Sequence, residues 1–229
     1  MSKTYYISDT HFRHRNILKY CGRTQFMNKS ELNEYKEILS IEDEEKKRIA
    51  MRNMPISDDT IKKHDETIIK RWNSRVNDSD TVIVLGDFCW VMKGDPRPHY
   101  YLERLNGNIV LINGNHDRNN RNNTKIESMR VREGKWLIWC THNPRHIRFD
   151  IRMNFCGHVH EKWKFGRVDK NAGLGKFDEP ILNTTKAKPN GCNITDVINL
   201  SVDVWDYYPR NVYEIKKDYH QWRNEYESR

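Results

Sequence analysis

The sequence predicts an α/β fold in which short buried strands alternate with amphipathic helices. Short apolar runs rich in Val and Ile recur between segments whose apolar residues have helical spacing. Several of these runs stop at a cluster of Asp, Asn and His residues. At 229 residues the chain is long enough to form one domain with a sizeable core.

The elements of the first half are predicted from their apolar patterns. A strand at 4–8 is followed by a short helix at 16–20, and the charged segment 30–49 is helix-prone because it carries one narrow apolar stripe. A helix at 58–76 places Ile61, Ile68 and Trp72 on one face. The strand at 81–85 is apolar after its first residue, which is typical of a strand buried on both faces.

The second half continues the alternation. A helix around 101–105 ends at an Asn-Gly pair, which is a turn signal. Residues 166–195 are rich in Gly, Asn, Lys and Thr and are expected to form a long loop. The remaining predicted strands are 109–112, 136–140, 153–156, 197–202 and 211–215.

Polar side chains follow five of the predicted strands at the point where each strand ends. In α/β folds, ligands gather at the carboxyl ends of strands, so we expect these side chains to lie together. They are Asp9, His11, Asp87, Asn115, His116, Asp117, His142, His158 and His160. Imidazole and carboxylate together suit zinc, manganese or iron rather than calcium, and the set is large enough for two ions that share Asp87. The alternative for Asp87 alone is a strand-end residue that caps the next element.

Charge is distributed unevenly along the chain. The net charge is +8, and residues 118–148 hold eight Lys and Arg residues against two acids. These loops follow the candidate site, where a positive potential would attract an anionic substrate. A solvated basic surface is the alternative. Candidate contacts to the substrate are Arg13, Arg118, Arg145 and His146. The histidines His14, His64, His99 and His220 lie outside any motif and are expected at the surface.

The number and spacing of the cysteines indicate the redox conditions of the compartment in which the protein works. Five cysteines form an odd number with no Cys-x-x-Cys pair, which favours a reducing cytoplasm and disfavours a Cys/His zinc site built on Cys140, Cys156 and Cys192. The N-terminus leads directly into a strand without the pattern of a secretory signal, and no apolar run has the length of a membrane span.

The strand-end motifs together resemble those of the calcineurin-like metallophosphoesterase family over roughly residues 4–215. They are Asp9-x-His11, Gly86-Asp87, Gly114-Asn115-His116-Asp117, His142 and Gly157-His158-x-His160. The stretch from Asp9 to Ile17, with Trp72-Asn73, is similar to a compact bacterial and bacteriophage branch, from which Arg13 departs. The resemblance implies a four-layer α-β-β-α sandwich of two mixed sheets, formed by residues 1–229 as one domain with a helical insertion at 28–60.

The resemblance also implies a role for each site residue. Asp9, His11 and His160 would hold one metal ion, Asn115, His142 and His158 the other, and Asp87 would bridge them. His116 would stabilise the phosphoryl charge and protonate the leaving oxygen, with Asp117 orienting it. A metal-bridging hydroxide would be the nucleophile. Manganese is the expected metal, with iron, nickel and zinc as alternatives.

The function that follows is hydrolysis of phosphate esters by a dinuclear metal-dependent phosphoesterase. A phosphodiester, either a nucleotide or a nucleic acid, is favoured over a monoester because of the basic loops at 118–148. The alternatives are a broad phosphomonoesterase and a catalytically silent scaffold or nucleic-acid-binding module. No membrane partner is expected.

Overall fold

The computed structural model describes residues 2–90, 92–117, 124–171 and 193–228. The strands in this part of the chain are β1 (Thr4–Ile7), β2 (Thr81–Val84), β3 (Asn108–Leu111), β4 (Ser128–Glu133), β5 (Trp136–Thr141), β6 (Met153–Cys156), β7 (Phe165–Asp169), β8 (Ile194–Asn199) and β9 (Arg210–Asn211). The α-helices are α1 (Arg15–Tyr20), α2 (Lys29–Leu39), α3 (Glu44–Asn53), α4 (Asp58–Asn73), α5 (Pro98–Leu102) and α6 (Val212–Glu227).

The strands form two mixed sheets. The first has the order β3-β2-β1-β9, in which β1, β2 and β3 are parallel and β9 is antiparallel to β1. The second has the order β4-β5-β6-β8-β7, with β5, β6 and β8 parallel and antiparallel strands at both edges. The predicted α/β class with two mixed sheets and flanking helices is confirmed.

The alternation of side chains along each strand divides the core into layers. On β1, Tyr5 and Ile7 face the helices, where they join buried residues of α1, α2, α4 and α5. Tyr6 faces the second sheet, and its ring meets that of Phe155 edge-to-face at 5.0 Å between centroids. The first sheet is therefore covered by helices on one face and by the second sheet on the other.

The second sheet is covered on both faces as well. On its outer face, Cys156 and Val197 pack with Ile147, Phe149 and Trp163, which lie in the segments that follow β5 and β6. Helix α6 packs against β7 and β8, where Trp222 stacks on Phe165 at 5.6 Å. None of the helices in the described part of the chain has the combined length and apolar character that crossing a membrane requires.

The two sheets are joined at the carboxyl ends of their strands. Just after β1, Ser8 pairs with Ser201, which follows β8: the Ser8 amide donates to the carbonyl of Leu200 at 2.8 Å, and the amide of Val202 donates to Ser8 at 3.0 Å. The strand-end loops of both sheets therefore converge on one edge of the molecule.

Three of the sequence-based predictions are wrong in secondary structure. The segment 166–195, predicted as a long loop, contains most of β7 and the start of β8, because Gly166–Asp169 pair with Ile194–Val197 along the edge of the second sheet. The segment 30–49 forms two helices, α2 and α3, because Asp43 caps a new helix by accepting a hydrogen bond from the amide of Lys46 at 2.9 Å. The predicted strand at 211–215 is the start of α6: Asn211 and Glu214 form a reciprocal capping box. Residues 28–60 include α2 and α3, and the helical insertion at 28–60 stays a prediction.

Candidate metal centre

The loops that follow β1, β2 and β6 have unusual backbone conformations. The non-glycine residues Asp9, His11, Asp87, His158 and His160 have φ values of 56°, 48°, 54°, 73° and 49°. This left-handed region costs free energy for residues other than glycine, and such strain concentrates at functional sites. The loops after β1 and β2 hold each other in place, since the amides of Asp9 and His11 donate to the carbonyls of Gly86 and Asp87 at 3.1 and 3.0 Å.

Two glycines allow these loops to approach each other. A Cβ atom on Gly157 would lie 1.9 Å from Oγ of Ser8 and 2.6 Å from Oδ2 of Asp9. A Cβ atom on Gly114 would lie 2.2 Å from Oδ1 of Asp87. Each glycine therefore leaves the space that one of the site carboxylates occupies.

The carboxylate of Asp87 lies at the centre of the site. One of its oxygens, Oδ2, is 3.4 Å from Nε2 of His11 and 3.4 Å from Nε2 of His142. The candidate ligand atoms form two groups. One group is Asp9, His11 and His160, and the other is Asp9, Asp87 and His142. Within each group the ligand atoms all lie within 4.8 Å of one another. The carboxylates thus lie where two neighbouring groups of imidazoles meet.

Asn115 and His158 complete the second group. The amide oxygen of Asn115 lies 2.9 Å from Nε2 of His142 and 2.9 Å from Nδ1 of His158. The backbone amide of His158 donates to both carboxylate oxygens of Asp9 at 3.1 Å. The structure therefore brings together all seven metal ligands predicted from the sequence.

The residues present fit divalent metal ions. In the described part of the chain, Nε2 of His11 is buried and has no hydrogen-bond partner, which is costly unless a ligand occupies it. Nδ1 of His142 lies 2.8 Å from the carbonyl oxygen of Leu85. Because this contact occupies Nδ1, the other ring nitrogen, Nε2, faces the carboxylates. Imidazole, carboxylate and amide oxygen together are ligands for zinc, manganese or iron.

Burial and charge set the protonation of the cluster. Burial raises the pKa of Asp87, but the nearby His142 outweighs it, and the pKa lies at about 2. Burial lowers the pKa of His142, but the nearby Asp87 carboxylate outweighs burial and raises this pKa to about 9. Burial, with His160 and His14 nearby, holds the pKa of His11 well below its usual range, so that this imidazole is neutral and able to bind a metal.

A buried ion pair lies behind His160. Oδ2 of Asp203 accepts a hydrogen bond from Nδ1 of His160 at 3.0 Å. Arg23 donates to both carboxylate oxygens of Asp203 at 2.7 and 2.8 Å and to the carbonyl of Asp9 at 2.9 Å. Sequence reasoning missed both residues, although Asp203 follows β8 as the other site residues follow their strands.

His116 and Asp117 occupy the loop after β3. The amide of His116 donates to Oδ1 of Asp87 at 2.9 Å, and its ring lies 5.2 Å from that of His11. The carboxylate of Asp117 accepts hydrogen bonds from the amides of Asp87, Phe88 and Gly114 at 2.7, 2.9 and 2.9 Å. Asp117 therefore shapes the loops that carry the ligands, and its predicted effect on the orientation of His116 stays a prediction.

Two histidines expected at the surface are buried. Nδ1 of His14 lies 2.9 Å from Nδ1 of His11, and Trp90 stacks on the His14 ring at 5.1 Å. His64 contacts Arg23 at 2.8 Å and Asp65 at 2.9 Å. The prediction for both was wrong. His64 has the helical spacing of the buried residues of α4, which is a signal that the sequence contains.

Three of the four candidate substrate-binding residues lie in the described part of the chain. Arg13 directs its guanidinium to Asp58 and Asp95, at 2.8 and 2.7 Å. Arg145 and His146 are exposed in the turn that follows β5. Arg118 lies outside the described residues.

Comparisons with known proteins identify one relative in sequence. No family model matches the chain. Uncharacterized protein MJ1445 of Methanocaldococcus jannaschii is 31% identical over 211 residues, which cover 91% of this chain and 86% of that protein.

Comparison with solved structures includes one superposition with a TM-score above 0.5. The protein of unknown function AQ665 from Aquifex aeolicus superposes with a TM-score of 0.53 at 18% identity, covering 95% of this chain and 99% of its own. Weaker superpositions include a Vps29 variant from Entamoeba histolytica, with a TM-score of 0.37 at 13% identity. The superposition covers 86% of this chain and 72% of the Vps29 chain. Another is a protein from Streptococcus pneumoniae described as a predicted phosphoesterase, with a TM-score of 0.31 at 13% identity. The superposition covers 86% of this chain and 71% of that protein.

Proposed function

The chain belongs to the family of MJ1445 from Methanocaldococcus jannaschii, and we propose that it is a metal-dependent phosphoesterase of the calcineurin-like type. The observation that carries the proposal is the position of Asp87, whose Oδ2 atom lies 3.4 Å from Nε2 of both His11 and His142. A carboxylate oxygen this close to one imidazole of each proposed ligand set could be shared by two neighbouring ions.

Each ion has a set of ligands. Asp9, His11 and His160 would hold one ion, and Asn115, His142 and His158 the other, with Asp87 between them. When bound, two such ions supply positive charge to the phosphoryl oxygens and an activated water at neutral pH. Manganese is the metal we expect, because a mixed set of nitrogen and oxygen ligands accepts it.

The protein's own groups position the reactants. His116, half-buried and anchored through its amide to Asp87, is the group available to donate a proton to the leaving oxygen. Asp203 fixes the ring of His160 from behind, and Asp117 fixes the loops that carry Asp87 and Asn115. The site thus has a preorganised form, which is what electrostatic stabilisation of a transition state requires.

The finer assignments rest on the sequence. The basic loops within 118–148 would attract an anionic phosphate ester, and we expect that ester to be a phosphodiester of a nucleotide or nucleic acid. From the motif between Asp9 and Ile17 we propose that the chain belongs to the compact bacterial and bacteriophage branch. Cys21 and Cys140 are free thiols, which supports a cytoplasmic location.

Metal reconstitution tests the proposal. The purified protein is stripped with a chelator, Mn²⁺, Ni²⁺, Zn²⁺ or Fe²⁺ is returned separately, and turnover of an aryl phosphodiester is compared with that of its monoester. We expect two equivalents of bound metal and turnover of the diester with at least one metal. Two bound equivalents without turnover of either ester would contradict the proposal and favour the scaffold alternative.

Substitutions in the site provide the second test. Asp87→Asn and His116→Ala should each lower kcat at least about 100-fold, as loss of a general acid or of a metal bridge does. His99→Ala is the matched control, since His99 is exposed and paired only with Glu103 in the described contacts. Full activity in Asp87→Asn or His116→Ala would refute the assignment.

A further inference from the structure

A further imidazole, that of His14, lies behind the candidate metal ligand His11. His14 is 9% exposed, and its Nδ1 atom lies 2.9 Å from Nδ1 of His11. Its amide donates to the carbonyl of His11 at 3.0 Å, so a tight turn in the loop after β1 brings the two rings together. His14 immediately precedes α1, yet among the described residues its side chain makes no capping hydrogen bond with that helix. The imidazole is therefore directed to the metal centre rather than to the helix end.

The two ring nitrogens of His11 face different neighbours. Nε2 is buried without a hydrogen-bond partner in the described part of the chain and lies 3.4 Å from Oδ2 of Asp87, so it is the nitrogen available to an ion. A neutral imidazole that binds a metal through Nε2 carries its proton on Nδ1. The described partner of this Nδ1 is Nδ1 of His14. Two nitrogens at this distance share one proton, so Nδ1–H of His11 donates and Nδ1 of His14 accepts.

Two other candidate ligands of the centre have the same arrangement. Nδ1 of His142 lies 2.8 Å from the carbonyl oxygen of Leu85, and Nδ1 of His160 lies 3.0 Å from Oδ2 of Asp203. Both partners are acceptors, and such acceptors fix the tautomer and the orientation of a metal-ligating ring. The ring of His14 occupies the equivalent position behind the third imidazole.

Aromatic packing fixes the ring of His14. Trp90 stacks on it at 5.1 Å between centroids, with an angle of 20° between the ring planes. The amide of Trp90 donates to the carbonyl of Phe12 at 2.8 Å, which ties this ring to the same loop. The His116 ring lies 5.5 Å from that of His14 and 5.1 Å from that of Trp90, so the three rings pack together beside the cluster. An acceptor held in this way is in position before any ion binds, which lowers the entropic cost of binding.

We propose that His14 is a positioning residue of the metal centre. Its Nδ1 atom accepts the proton of Nδ1 of His11 and thereby keeps Nε2 of His11 unprotonated and directed towards the ion. The effect of His14 on metal affinity rests on the proposed metal-dependent function, whereas the tautomers of the two rings are a property of the folded chain by itself. The two parts therefore have separate tests.

Nitrogen NMR of the wild type tests the tautomers without any substitution. In protein labelled with ¹⁵N-histidine, the protonated and the unprotonated nitrogen of a neutral imidazole give separate signals. We expect Nδ1 of His11 to be protonated and Nδ1 of His14 to be unprotonated, both in the metal-free protein and with Zn²⁺ bound. A proton on Nδ1 of His14 in the metal-free protein would overturn the proposal, whatever the activity assays give.

Two substitutions of His14 separate its hydrogen bond from its packing. His14→Asn keeps an oxygen acceptor near the position of Nδ1, and His14→Phe keeps a ring that can stack on Trp90 but has no acceptor. We expect His14→Phe to weaken Zn²⁺ binding about 10- to 100-fold, the usual loss when such a partner is removed. His14→Asn should bind Zn²⁺ nearly as tightly as the wild type. Competition with a coloured chelator measures both affinities, and a role in packing alone predicts the reverse order.

His99→Phe is the matched control, since His99 is exposed and its described partner is Glu103. The Zn²⁺ affinity of this variant should equal that of the wild type. Wild-type affinity in His14→Phe, or an equal loss in both His14 variants, would overturn the proposal. A wild type that binds no Zn²⁺ would instead contradict the proposed function, and the spectrum of the metal-free protein would still decide whether His14 sets the tautomer of His11.

Discussion

Oδ2 of Asp203 lies 3.0 Å from Nδ1 of His160, on the side of the ring away from Asp9. This hydrogen bond fixes the orientation of a metal ligand, and removal of such a partner typically lowers metal affinity about 10- to 100-fold. We therefore expect Asp203→Asn to weaken metal binding by that factor, as measured by competition with a coloured chelator. Excess metal should restore most of the activity, because no ligand has been removed.

The control for this substitution is Asp150→Asn. Asp150 is an exposed carboxylate whose described side-chain contacts are with Arg148 rather than with a metal ligand. The Asp150→Asn protein should bind metal with the same affinity as the wild type. An Asp203→Asn protein with unchanged affinity would show that His160 is oriented by other contacts.

Glu31 should make stability depend on pH. Burial raises the pKa of this carboxylate, but hydrogen bonds from Thr60, Ser57 and Asn28, at 2.6, 2.7 and 2.9 Å, outweigh it and lower the pKa below its ordinary value of 4.5. A group with a lowered folded-state pKa stabilises the protein above its unfolded-state pKa, and this contribution is lost as the pH falls through the folded-state value.

Glu31→Gln should therefore lower the free energy of unfolding by about 1–2 kcal/mol at pH 7. The difference from wild type should shrink as the pH falls below 4.5, as followed by urea unfolding at several pH values. Glu37→Gln, an exposed position on the same helix, should have little effect at any pH. A constant loss for Glu31→Gln across this range would mean that packing, not charge, is responsible.

The fold class and the clustering of the candidate site residues could be predicted from the sequence, whereas the contacts that support the cluster could not. Asp9, Asp87 and His142 each follow an apolar strand directly, and a strand end fixes where the next side chain lies, so local pattern was sufficient. Arg23 and Asp203 are 180 positions apart in the chain and meet only in the folded protein. No local pattern could pair them.

The errors in secondary structure have a common cause. Asn211 and Asp43 each begin a helix through side-chain hydrogen bonds to nearby amides, whereas the apolar pattern beside them is weak. Strand β4 was missed for a related reason: its sequence, SMRVRE, is short and mostly polar, and it becomes a strand by pairing with β5 at the sheet edge.

Gly157→Ala should disturb both the fold and the site. The added methyl group would lie 1.9 Å from Oγ of Ser8 and 2.6 Å from Oδ2 of Asp9, so one of these side chains has to move. We expect a loss of about 2–3 kcal/mol in the free energy of unfolding and fewer than two equivalents of bound metal.

Gly134→Ala separates the steric effect from backbone strain. Gly134 has a φ of 59° and open space around its Cβ position, so alanine should cost about 1 kcal/mol through backbone conformation alone. Metal content should be normal in this variant. Full metal content in Gly157→Ala, measured by atomic emission, would show that the Asp9 carboxylate tolerates the added methyl group.

Metal binding should stabilise the protein against heat. The cluster buries the carboxylates of Asp9 and Asp87 beside the unpartnered Nε2 of His11, and a bound ion would satisfy these groups only in the folded state. At about 100 times the dissociation constant, one site contributes about 2.7 kcal/mol. For a chain of this size, that corresponds to a rise in Tm of about 5–10 °C.

Scanning calorimetry of the stripped protein with and without Mn²⁺ measures this rise. Ca²⁺ at the same concentration should give little or none, because it prefers oxygen ligands and the cluster is rich in imidazole. Asp87→Asn should lose most of the Mn²⁺ effect, whereas His99→Ala, with its exposed imidazole, should keep it. If Mn²⁺ and Ca²⁺ raised the Tm equally, and Asp87→Asn kept that rise, the stabilising ion would lie outside the cluster. Binding within the cluster depends on the Asp87 carboxylate, which lies close to His11 and His142.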